Sequence, residues 1–160
     1  MRPVPFLQFG FWCRVQEGIL RVLLKKKNAA LAEHIENLRN ICSTWYSGLF
    51  VMTFPSETVA RIWDCLFCEG PKVLHRIALA TLIKNQNTIL SMSHSVNLPK
   101  ILTYKLRRTF DANDLMMTSF HSVGSMKSAN LIRIGEQVEK ELRGDPIPRK
   151  SGSWRRSYPI

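Results

Sequence analysis

The chain has 160 residues, 45% of them apolar, which suits one domain with one hydrophobic core. Its formal charge of +11 sits mainly at the ends: residues 1–27 hold six Lys/Arg against Glu17, residues 143–160 hold five against Asp145, and 28–142 hold twelve basic and ten acidic side chains. That balanced middle argues against a nucleic-acid-binding domain, which needs a basic ordered face, and no apolar run reaches the roughly 18 residues of a membrane span.

The opening stretch to Gly18 is broken by Pro3, Pro5, Gln8 and Arg14 and lacks a small-residue cleavage site, so it does not read as a signal peptide. Helices are expected over Phe11–Leu24, Ala29–Leu38 and Thr44–Thr53. The clearest helix is Pro55–Cys68, where Val59, Ile62, Trp63, Leu66 and Phe67 recur at i, i+3, i+4, i+7 and i+8. Pro55 suits a first helical position, and Glu57 complements the positive helix start. Glu57 and Arg61 have the i, i+4 spacing of a surface pair. Gly70-Pro71 stops the helix.

The next helix is expected over Lys72–Leu90, apolar nearly all round from Ile77 to Ile83, which predicts burial on more than one side. Leu98–Phe110, Ala112–His121 opened by Asp111, and Ser125–Leu142 follow. The last places Leu131, Ile134, Val138 and Leu142 on one stripe, with Ser125 as its possible cap. No segment alternates like a strand, and there are no internal repeats. From Gly144 the Pro, Gly, Ser and Arg content predicts a disordered basic tail.

Within this all-α pattern no segment carries a cofactor-binding motif. Cys65-x-x-Cys68 has zinc-ligand spacing, but a zinc site needs four ligands and no second pair is present. Cys42, His34 or His75 could complete it only through tertiary coincidence. A redox reading fails because no strand precedes the helix. His34, His75, His94 and His121 offer bases for a Ser or Cys nucleophile, yet nothing local marks an elbow or oxyanion site. The four cysteines, without an export signal, read as reduced thiols of a cytosolic protein.

One stretch carries more. Trp45-Tyr46, Leu49-Phe50, Pro55 with Glu57, Arg61-Ile62-Trp63-Asp64, Leu66-Phe67, Glu69-Gly70 and Arg76-Ile77-Ala78-Leu79 follow in one order over about forty positions. This run resembles the second half of the TBC domain of Rab GTPase-activating proteins, and residues 29–40 resemble the helix preceding it. The resemblance implies an all-α bundle, the later lobe of that domain. It implies a divergent, partly helical segment over 1–28, a partial domain over 29–143 and a tail over 144–160. It implies a Rab-type small GTPase as partner and a cytoplasmic place of action, peripheral at endomembranes. The matched Trp45, Pro55, Glu57, Arg61, Trp63, Asp64, Glu69, Gly70 and Arg76 read as structural, with Trp63 in a helix–helix seam and Arg61 and Asp64 as an ion pair or cap on its rim.

Members of that family supply an arginine from an Ile-x-x-Asp-x-x-Arg motif and a glutamine from a Tyr-x-Gln motif. Here the residues three places after Asp64, Asp111, Asp114 and Asp145 are Phe67, Asp114, Met117 and Pro148. Two places after Tyr46, Tyr104 and Tyr158 stand Gly48, Leu106 and Ile160. No catalytic role can be carried over, so the chain is expected to be a GTPase-activator relative without activity of its own. Phe11-Trp12 resembles the helix after the glutamine motif, followed too soon by Lys25–Ile35, which favours a fragment over a silent binding module. The tail's Arg149-Lys150 and Arg155-Arg156, with Trp154 between, suit an anionic membrane surface or simple solvation.

Overall fold

The computed structural model describes residues 5–35, 38–92 and 98–144, and among these there is no strand. Helix α1 spans Pro5–Lys27, α2 Ala29–His34 and α3 Leu38–Ser47. Then come α4 Ser56–Glu69, α5 Lys72–Lys84 and α6 Gln86–Leu90. Helices α7 Leu98–Leu106 and α8 Ala112–Met117 lead through a π-helical turn, Thr118–Ser122, to α9, Ser128–Arg143. The all-α expectation is met. The tail beyond Gly144 lies outside the described residues.

The helix breaks have local causes. Asn28 ends α1 and caps α2, its Oδ1 accepting from Leu31 N–H at 3.0 Å while its Nδ2 donates to Gln86 Oε1 at 2.9 Å. Arg21 reaches from α1 to the far end of α2, donating to the carbonyls of Ala32 (3.2 Å) and Ile35 (3.3 Å). Asp111 caps α8 as expected, accepting from Asp114 N–H at 2.9 Å. Gly144 closes α9 in the left-handed region.

Several expected boundaries move. The helix expected over Thr44–Thr53 ends at Ser47, because Leu49 (φ 45°) and Phe50 (φ 67°) turn the chain through left-handed backbone. The expected helix Ala29–Leu38 is only α2, which stops at His34. Lys72–Leu90 is two helices that meet at Asn85, whose side chain also donates to Thr81 O at 2.8 Å. Pro55 is the N-cap of α4 rather than its first helical residue. Ser125 does not cap α9, whose N-cap is Lys127 without a side-chain bond.

Helix α5 is the centre. Val73 through Leu82 are all buried, and the helix is enclosed by α1, α4, α6, α8 and the π-helical turn. Helix α1 packs against α2, α3, α5 and α9, so residues before position 28 supply core, including Val15, Ile19, Leu20 and Leu24. On α9 the predicted stripe holds: Leu131, Ile134 and Val138 are buried and Leu142 packs at the edge. Helices α1 and α9 approach closely at Gly18, where an added Cβ would drive into the Val138 methyls.

Polar groups also sit in this core, His75 among them. His75 is 3% exposed, and its Nδ1 shares a 2.9 Å hydrogen bond with the Tyr46 hydroxyl. Burial lowers the His75 pKa from 6.5 to about 4.

Gly18→Ala gains helix propensity of ~1 kcal/mol but overpacks a β-branched neighbour, at ~1–3 kcal/mol. A net loss of stability is expected in urea unfolding, partly relieved in the Gly18→Ala/Val138→Ala double variant; additive losses would contradict the contact. For His75, the unfolded chain takes up a proton below pH 6.5 while the folded protein does so only near pH 4. Stability is therefore complete above pH 6.5 and lost as pH falls towards 4, on the order of 1 kcal/mol per unit. Urea midpoints between pH 7.5 and 5 check this, and His75→Gln should remove that part of the slope.

Candidate functional site

The motif residues occupy the corner where α3, the connection 48–55, α4 and α5 meet. Trp45 is buried, its ring centroid 5.8 Å from Phe50. Phe50 also meets Tyr46 at 6.4 Å and Phe54 at 5.8 Å, so one aromatic cluster anchors the connection inward. With Phe50 turned in, Leu49, Val51 and Met52 are left exposed. Trp63 is half-buried; its indole N–H donates to Leu49 O at 3.1 Å, tying α4 to the left-handed turn. Arg107 Nε donates to Met52 O at 3.4 Å, and Thr58 Oγ1 donates to Thr109 O at 2.7 Å. These bonds hold the connection and the start of α4 against the chain that follows α7.

The α4–α5 corner is built on Gly70, which caps α4 at φ +82°, a region strained for residues with a side chain. Glu69 faces Lys72 at 3.1 Å and Arg76 at 3.9 Å. Arg76 is 7% exposed, with its guanidinium 4.4 Å from the Phe120 ring centroid and its buried Nε without a hydrogen-bond partner. Trp45, Trp63, Glu69, Gly70 and Arg76 are thus joined to the scaffold.

Glu57, Arg61 and Asp64 are not. All three are exposed. Glu57 accepts only from Ser56 Oγ at 3.3 Å, and neither the Glu57–Arg61 pair nor an Arg61–Asp64 pair forms among the described residues. The expected stripe also ends early. Val59 and Ile62 are buried, Trp63 and Leu66 half-buried, and Phe67 is 80% exposed. At 100° per residue Phe67 lies about 140° around the helix from Ile62, outside the arc that faces α5.

Catalytic geometry is not found at the histidines. His34 Nε2 bonds to Met92 O at 2.7 Å, His75 to Tyr46, and His121 is exposed; His94 lies outside the described residues. No cluster of three or more His, Cys, Asp or Glu among the described residues is arranged to hold a metal ion. All four cysteines are free thiols. Burial pushes the Cys42 thiol well above its usual range, with Glu17 adding to the shift, and burial also raises Cys65. No described helix is long and apolar enough to cross a membrane.

Sequence reasoning missed the Tyr46–His75 bond and the left-handed Leu49-Phe50 pair. Gly48 before two large apolar residues is the available signal for the turn. The hydrogen bond joins residues 29 positions apart and has no local signature.

Comparison with known proteins closes on one family. The Rab-GTPase-TBC domain model matches residues 10–90. Growth hormone-regulated TBC protein 1 of Xenopus tropicalis is 33% identical over 138 residues, covering 81% of this chain and 40% of the relative. Growth hormone-regulated TBC protein 1-A of Danio rerio is 34% identical over 110 residues, 66% of this chain and 30% of the relative. TBC1 domain family member 2A of Mus musculus is 30% identical over 134 residues, 81% of this chain and 14% of the relative. The chain thus spans well under half the length of these relatives, and no solved structure matches it significantly. From the ordered motif run, the all-helical architecture and the match over half its length, the chain belongs to the Rab-GTPase-TBC domain family.

Proposed function

We propose that the chain is the later portion of a Rab GTPase-activating domain, that residues 29–143 form that portion with α1 completing its core, and that it does not stimulate GTP hydrolysis by itself. The observation that carries this is the ordered run from Trp45 to Leu79 without either motif that bears the family's catalytic side chains. An arginine that neutralises charge on the transferring phosphoryl group is worth about 10³–10⁵ in rate, and no residue here can be assigned that part. The motif residues serve as framework: Trp45 and Trp63 hold the connection, and Glu69, Gly70 and Arg76 hold the α4–α5 corner.

A second reading is a catalytically silent module that grips a Rab or another protein. The exposure of Leu49, Val51 and Met52 side by side on the connection before α4 favours it. Action at the cytoplasmic face of endomembranes, with the basic tail meeting anionic lipid, is the setting either reading implies.

Single-turnover GTP hydrolysis by a panel of purified Rab proteins tests the proposal. Rates within about twofold of the intrinsic rate are expected, against the roughly 10³-fold or more of an inserted arginine; stimulation of that size would overturn it. Saturable binding of a Rab loaded with a non-hydrolysable GTP analogue, without turnover, would establish the silent module instead.

A further inference from the structure

The geometry points to a three-sulfur site for a soft monovalent metal ion, Cu(I), formed by Cys65 and Cys68 of α4 and Met116 of α8. Cys65 Sγ lies 3.9 Å from Met116 Sδ, although the residues are 51 positions apart. Two sulfurs each about 2.3 Å from a common ion, at bond angles near 110–120°, stand roughly 3.8–4.0 Å apart. The pair is therefore already at ligating distance, without rearrangement of either helix. Cys68 is one turn further along α4, and i, i+3 neighbours on a helix have Cβ atoms about 5–6 Å apart. Cys68 is exposed and Cys65 half-buried, so the site is open to solvent on one side and closed by Met116 on the other.

The donor set selects the metal class. Thiolate and thioether are soft ligands that favour Cu(I), whereas a structural zinc site requires four nitrogen or thiolate ligands. A carboxylate- or imidazole-completed cluster is absent among the described residues. Binding displaces both thiol protons to the buffer, and copper enters and stays as Cu(I), so no electron is transferred.

The test is an anaerobic titration of the full reduced chain with Cu(I), using bathocuproine disulfonate as competing chelator. One equivalent should bind more tightly than Zn(II) does. Cys68→Ser should weaken it at least about 100-fold and Met116→Leu about tenfold. Cys68 is exposed and Met→Leu conserves volume, so both variants should fold. No binding, tighter binding of Zn(II), or Cu(I) affinity indifferent to Met116→Leu would each overturn the three-sulfur site.

Discussion

The structure depends on enclosing one helix. Ten consecutive residues of α5, Val73 to Leu82, are buried, so no side of the helix can be left to solvent. Each fully buried Leu or Ile in that run is worth roughly 1.5–3 kcal/mol relative to exposure, and any missing wall would forfeit several such terms. That requirement recruits α1, α4, α6, α8 and the π-helical turn around it. It also forces polar side chains inside: His75, Arg76 and Thr81, whose hydroxyl donates to Ile77 O at 2.7 Å. His75 is accommodated neutral, bonded to Tyr46, and the Arg76 guanidinium lies over the Phe120 ring beside Glu69.

The connection from α3 to α4 is the second constraint. Two successive non-glycine residues in left-handed backbone carry roughly 1–2 kcal/mol of strain each. Burial of Phe50 among Trp45, Tyr46 and Phe54, and the indole bond from Trp63 to Leu49, offset that strain. The consequence is an outward-facing set of Leu49, Val51 and Met52, pinned at both ends by hydrogen bonds.

Family membership is marked by framework residues, on physical grounds. The residues that mark the family are those that close helix corners and fill seams, because a bundle tolerates little change in volume where helices touch. Phosphoryl-transfer chemistry instead requires charge and hydrogen-bond donors aimed at a reacting group, a demand different from the one the framework residues meet.

The sequence by itself determined the helical class, the burial of α5 from Ile77 to Leu82, the stop at Gly70-Pro71, the Asp111 cap, the α9 stripe and the order of family residues, because each follows from periodicity or from the backbone preference of one residue. Tertiary structure decided what depends on partners distant in the chain. It placed Phe67 in solvent and left Glu57, Arg61 and Asp64 without ion pairs among the described residues, because only the packing of α5 defines which arc of α4 is inward. Early termination of α3 and the inward turn of Phe50 were likewise decided by an aromatic pocket that exists only once α3, α4 and α5 have met. The bonds from Arg21 to α2, from Asn28 to Gln86 and from Tyr46 to His75 join groups whose proximity no local pattern encodes.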